Sequence, residues 1–158
     1  MGDRGNIVLD FGSQRFIYLY THWQGSHLAE ILRAALSRGR GRWGDAAYLA
    51  RIVFSEMVRD ELLEVVGYGL SPYLTDNEHD LLVVDLVGSR VLLCEGENLK
   101  AVRRTWTFDE FVAAASLRDA GRVAGYGKGK VIFSIPIGMT GIDDGRRKIP
   151  EHAIVLAY

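Results

Sequence analysis

Several residue types that would point to a particular class of protein are scarce in this sequence of 158 residues. It has one cysteine, Cys94, so no intramolecular disulfide can form, and this residue stands in an apolar run where burial as a small hydrophobic side chain is the default. No apolar run approaches the roughly 20 residues that a membrane span needs. The first residues also lack the layout of a signal peptide. These absences predict a cytoplasmic protein that does not enter a membrane.

The charge balance is almost even, with 19 Lys and Arg against 20 Asp and Glu and a net charge of −1. A balance of this kind gives no global attraction to nucleic acid or to an anionic membrane, so any such site must be local. Hydrophobic residues make up 48% of the chain and charged residues 25%, which is typical of a globular protein with a real core. The length predicts a single domain over residues 1–158.

The N-terminal half shows a hairpin followed by two helices. Two β-rich runs, Ile7–Phe11 and Phe16–Thr21, flank a short polar turn. Ser26 is placed to cap a first helix with apolar residues at helical spacing, and Asp45 is placed to cap a second helix that runs to about Leu63. If Phe11 pairs with Arg15, one face of the hairpin is apolar and the other is aromatic. The apolar face contains Ile7, Leu9, Ile17 and Leu19. The aromatic face contains Tyr18, Tyr20 and His22.

The second half is dominated by strands. Thr107 and Glu110 form a capping-box pattern that opens a short helix. The elements here are a hairpin of Asp80–Leu86 with Ser89–Glu95, a helix at Phe108–Leu117, and strands at Val131–Ile137 and Ala153–Ala157. An optional further strand lies before the hairpin. Strands and helices do not alternate regularly, which predicts an α+β fold: a largely antiparallel sheet with two main helices on one face and a short third helix. One core is expected to contain Leu9, Leu19, Ile31, Leu32, Leu49, Ile52 and Val83.

A cluster of potential ligands precedes the second hairpin. Asp76, Glu78 and His79 follow one another within the segment from Thr75 to Asp80. Oxygen and imidazole groups at this density suit a divalent cation. The spacing matches no established calcium or zinc motif, however, and a solvated turn explains the same residues.

Two histidines flank the start of the first helix. His22 and Trp23 precede Gly25, and His27 follows Ser26, so a serine nucleophile with a histidine base can be considered. The surrounding residues do not form the Gly-x-Ser-x-Gly elbow of serine hydrolases. A capping serine beside half-buried histidines is the simpler interpretation, and we predict no catalytic residue and no cofactor.

The loop between the two helices is basic and ends in an aromatic residue. Arg38, Arg40 and Arg42 alternate with glycine before Trp43. Guanidinium groups beside an aromatic platform could bind phosphate or single-stranded nucleic acid, aided by the lysines of the segment Gly125–Lys130. A solvated loop, with arginines near the negative end of the first helix, is the alternative. No phosphate-binding loop of the Gly-x-x-x-x-Gly-Lys-Ser/Thr type can be drawn through Gly125–Lys130.

Four strings of the sequence carry a resemblance. They begin at Met1 (MGDRGNI), Ile17 (IYLYTHWQG), Tyr48 (YLARI) and Asp76 (DNEH). In the order and wording of these strings the chain resembles a group of small uncharacterised proteins from bacterial and bacteriophage genomes, over about the first 110 residues. The resemblance implies a family-like core at 1–116, followed by a C-terminal β extension of the same domain at 117–158. It supplies no activity, and implies a role in phage–host conflict or another accessory process.

Three functional hypotheses follow from these observations. The first is a non-enzymatic module that binds a protein partner or associates with itself, using the aromatic residues Tyr18 and Tyr20. The second is a small-ligand or metal-dependent enzyme between His22 and the segment Asp76–Asp80. The third is a nucleic-acid binder that uses the loop Arg38–Trp43.

Overall fold

A six-stranded sheet organises the part of the chain that the computed structural model describes, residues 1–114. The strands are β1 (Gly5–Asp10), β2 (Phe16–Thr21), β3 (Tyr68–Ser71), β4 (Leu81–Asp85), β5 (Arg90–Cys94) and β6 (Val102–Thr107). They lie in the order β3-β2-β1-β4-β5-β6. Neighbouring strands are antiparallel except β1 and β4, which pair in parallel at the centre. The α+β fold with a largely antiparallel sheet is therefore as predicted.

Three helices pack on one face of this sheet: α1 (Leu28–Arg38), α2 (Ala46–Met57) and α3 (Phe108–Ala113). The main core lies between them and the sheet, and includes Leu9, Leu19, Leu32, Leu49 and Ile52, with Ile31 packed at its margin. A smaller cluster on the opposite face contains Val8, Tyr18, Leu81, Val83 and Cys94. The prediction for Val83 was wrong, because side chains alternate along β4 and it is Leu82 and Val84 that face the helices.

Both hairpin turns are fixed by local polar contacts. Phe11 donates its backbone N–H to the carbonyl of Arg15, which confirms the predicted register. The Asp10 carboxylate accepts from the Gly12 N–H at 2.7 Å, and the chain passes through left-handed conformations at residues 12–14. In the second hairpin, Asp85 accepts from the backbone N–H of Gly88 at 2.7 Å. Short side chains that bond their own backbone favour turns of this kind.

Helix α2 ends at Met57, six residues before the predicted end at Leu63. Its buried residues recur at helical spacing up to Met57. The next two positions of that face are Asp60 and Glu61, which a core cannot accept. The helix therefore stops where its apolar face stops, although Asp45 caps its start as predicted.

The structure changes three other predictions. Strand β6 has no counterpart in the sequence analysis, since only Trp106 among its residues is buried. The capping box of Thr107 and Glu110 is present, but α3 ends at Ala113 and not at Leu117. Ser26 lies in a 3-10 turn before α1 and its side chain does not cap that helix. The predicted strands Val131–Ile137 and Ala153–Ala157 lie outside the described residues.

Candidate functional site

The N-terminal segment is fastened to the start of α1 by Asp3. Its Oδ2 accepts from the backbone N–H of Ser26 at 2.9 Å and from the Ser26 hydroxyl at 2.6 Å. Its backbone carbonyl accepts from the Gly25 N–H at 2.7 Å. The two bonds from Ser26, with a smaller effect of His79, lower the pKa of the Asp3 carboxyl from 3.8 to about 2. The sequence predicted that Ser26 would supply the hydrogen-bond acceptor at the start of the helix. Asp3, from a distant part of the chain, supplies it instead.

The geometry around Ser26 does not activate a nucleophile. The hydroxyl donates its hydrogen to the Asp3 carboxylate, whose pKa of about 2 makes it a poor base for activating a nucleophile. His27 Nδ1 lies 3.2 Å from Ser26 Oγ. Because the hydroxyl hydrogen is already donated to Asp3, Ser26 Oγ can only accept a hydrogen bond from that ring nitrogen. His79 Nε2 lies 2.5 Å from the other oxygen of Asp3. Asp3 is therefore the centre of a structural clamp that holds three segments together.

The residues predicted as metal ligands are held by other side chains. Arg4 makes ion pairs with Asp76, at 2.5 Å, and with Glu78. His79 faces Asp3 instead. Over residues 1–114, no group of three or more His, Cys, Asp or Glu side chains is arranged to hold a metal ion. The contact with Arg4 lowers the pKa of Glu78, because the guanidinium stabilises the carboxylate.

The aromatic residues of β2 are divided between two environments. Tyr18 is only 9% exposed and belongs to the smaller cluster on the opposite face of the sheet. Partly buried residues that include Phe16, Leu74 and Leu99 pack against this cluster. The aromatic face of the hairpin is therefore largely covered by this chain itself. Tyr20 lies further along, with its hydroxyl 2.8 Å from His22 Nδ1.

Trp23 is exposed, whereas Phe16 and Tyr20 on β2 are only partly so. The His22 ring meets Trp23 edge-on, with centroids 4.2 Å apart. Its side chain is 51% exposed and lies against Gly67, where a Cβ atom would stand 2.7 Å from the indole nitrogen. Gly67 has a φ of +93°, so close approach and backbone conformation both require glycine there. Trp23 is thereby fixed beside the start of β3.

The basic loop places its aromatic residue against the main core. Trp43 packs against the main core, with its ring 5.3 Å from Phe108 and its indole N–H donating to the Leu36 carbonyl at 2.9 Å. Each arginine also has an acidic partner; the pairs are Arg38 with Glu56, Arg40 with Asp109 and Arg42 with Asp45. The arginines and Trp43 were predicted to act together on a nucleic acid. In the structure the indole ring that would stack on a base packs against the core.

An open cleft of about 550 Å³ runs between α1 and the end of α2. Its floor includes Ile31 and Met57, and its rim includes Trp23, Glu30 and Asp60. The residues proposed for an enzyme pocket do not line it, since His22, Glu78 and His79 lie elsewhere. The cleft joins apolar side chains with acidic ones and with the basic residues His27 and Arg59.

A surface that the sequence analysis missed lies beyond this cleft. The loop from α2 to β3 exposes four apolar side chains, two on each side of Glu64, and edge strand β3 exposes one more. Relative exposures are Leu62 71%, Leu63 91%, Val65 96%, Val66 64% and Leu70 58%. We call residues 62–66 together with Leu70 and Trp23 the apolar edge. The run of leucines and valines was a signal, but assigning it in part to the end of α2 concealed it.

Comparisons with known proteins found no matching family model, no matching curated relative and no matching solved structure. The resemblance to bacterial and bacteriophage proteins therefore stays a prediction. In the described part of the chain, no helix is both long and apolar enough to cross a membrane.

Proposed function

We propose that this protein is a non-enzymatic interaction module that binds a protein partner through the apolar edge. The exposure of Leu63 and Val65, at 91% and 96%, is the observation that carries the proposal. Contiguous exposed apolar residues are costly for solubility, and in folded proteins they tend to mark interaction sites. A role in phage–host conflict would be one setting for such a module, and is supported by the sequence resemblance alone.

The contacts of the candidate chemical groups support binding over catalysis. The Ser26 hydroxyl is held by Asp3, and Asp76 and Glu78 are held by Arg4. Groups used in such a network are unavailable for a proton transfer or for a metal unless the network breaks. Leu63 and Val65 of the apolar edge have no comparable internal role in the described part of the chain, where both are almost fully exposed.

Capture from a bacterial lysate tests the proposal. The bait is the full chain or a double variant, Leu63→Ser with Val65→Ser, and the captured proteins are quantified by mass spectrometry. Both residues are almost fully exposed, so the variant should fold with a free energy of unfolding within about 0.5 kcal/mol of wild type. We expect specific proteins to be retained by wild type and lost from the double variant.

Val87→Ser is the matched control, since Val87 is 72% exposed in the distant turn between β4 and β5. It should capture the same proteins as wild type. Equal capture by all three baits, or capture lost equally in the control, would contradict the proposal. Light scattering on the purified proteins shows whether the partner is a second copy of this chain.

A further inference from the structure

The two edges of the sheet are built differently. Within residues 1–114 the outer strands are β3 and β6. Strand β6 contains Arg103 and Arg104, and its pairing with β5 is interrupted by a register shift between Leu93 and Cys94. Charged side chains and irregular pairing are two of the means that prevent a further strand from adding to an edge. One edge is thus protected.

Strand β3 has neither of these protections. Its sequence is Tyr68-Gly69-Leu70-Ser71, with no charged residue, and its pairing with β2 is regular. Leu70 lies directly opposite Leu19 and therefore on the helix side of the sheet, yet it is 58% exposed while Leu19 is buried. An added strand would place a side chain beside Leu70 and cover it.

The surroundings of β3 select the chemistry of such a strand. The seven residues 60–66 contain three carboxylates, Asp60, Glu61 and Glu64, and no lysine or arginine. Burial raises the pKa of Tyr68, and a hydrogen-bonding contact between its hydroxyl and Glu61 raises it further. Arg59, next to the segment, is paired with Glu56. The acidic residues stand among Leu62, Leu63, Val65 and Val66, so the surface is both anionic and apolar.

We propose that β3 accepts an extended, basic and apolar peptide segment of a protein partner as a seventh strand. This inference rests on the proposed function and specifies the partner for the same surface. Backbone hydrogen bonds to β3 would supply affinity, and side chains over the acidic loop would supply specificity. Because β3 has four residues, the loop must contribute contacts beyond those of the strand itself.

A labelled eight-residue peptide in which lysine alternates with valine is the probe, and fluorescence anisotropy with the full chain measures its binding. We expect binding that weakens at high salt. A peptide with glutamate in place of lysine, and a lysine–valine peptide N-methylated at alternate residues, should bind at least about tenfold more weakly. Leu70→Lys should weaken binding of the lysine–valine peptide by about tenfold or more, through the lost apolar contact and charge.

Thr105→Lys is the control, because it adds the same charge to an exposed position of the other edge strand. It should leave the affinity unchanged. No binding, equal binding of the glutamate or N-methylated peptide, or equal loss in the control would overturn the inference. A dimer in light scattering that Leu70→Lys converts to monomer would overturn it in favour of a second copy at β3. In each case the lysate capture with Leu63→Ser and Val65→Ser still decides the proposed function separately.

Discussion

The carboxylate of Asp3 accepts two hydrogen bonds from Ser26, one from its backbone and one from its hydroxyl, across 23 residues of sequence. A serine at the start of a helix normally supplies an acceptor of its own. Here Ser26 donates, and the acceptor comes from the N-terminal segment. The 3-10 turn that leads into α1 and the N-terminal residues consequently stabilise each other.

Replacing Asp3 by alanine should lower the free energy of unfolding by about 1 to 2 kcal/mol. The variant leaves the Ser26 N–H without its acceptor at a helix start, which costs this much in other proteins. Urea denaturation measures the change. Asp60→Ala removes an exposed carboxylate and should shift stability by no more than about 0.5 kcal/mol. If the two variants were equally stable, Asp3 would not be the acceptor that fixes α1.

The titration of the Asp3 carboxyl should contribute to the pH dependence of the protein's stability. Hydrogen bonds from Ser26, with a smaller effect of His79, lower the pKa of Asp3 from 3.8 to about 2 in the folded protein. The unfolded state therefore takes up the proton first as the pH falls. The stabilisation is complete above about pH 4 and is lost as the pH approaches about 2.

Wild type should accordingly lose more free energy of unfolding than Asp3→Ala between about pH 5 and about pH 2. Urea denaturation at a series of pH values gives both curves. Glu78 also has a lowered pKa, but it is present in both proteins and contributes equally to each. Parallel curves for the two proteins would mean that the pKa of Asp3 is not lowered by folding.

Trp43→Ala should reduce stability by about 3 kcal/mol, the lower end of the range for large aromatic residues in cores. The residue is half-buried against Phe108 and donates to the Leu36 carbonyl. Thermal and urea denaturation test this expectation, with the exposed Tyr48→Ala as control for loss of an aromatic ring. A folded, equally stable Trp43→Ala protein with altered binding to single-stranded DNA would instead support the nucleic-acid hypothesis.

Features set by residues a few positions apart could be predicted from the sequence. The hairpin register at Phe11 and Arg15, the cap at Asp45 and the capping box at Thr107 and Glu110 are of this kind. Each depends on contacts within the same turn, so the residue types alone indicate the geometry. The overall α+β class followed from the same local signals.

Features that depend on distant residues could not be predicted in this way. Ser26 has a favoured capping residue type, but nothing nearby in sequence shows that Asp3 will provide the acceptor. Strand β6 lies at an edge and buries only Trp106, so it lacks the alternation by which a half-buried strand is recognised. The apolar edge was missed for the opposite reason, because leucine and valine are usually buried and only the fold shows that these are not.

The parallel pairing of β1 with β4 has a kinetic consequence. It joins an N-terminal part, whose strands β1 and β2 form a local hairpin, to a second part in which β4, β5 and β6 follow one another. Closing this seam brings together residues as distant as Arg4 and Glu78, 74 positions apart, at a considerable cost in chain entropy. We expect the hairpins to form early and the seam to limit the folding rate. The ion pairs of Arg4 would then chiefly slow the opening of the finished sheet.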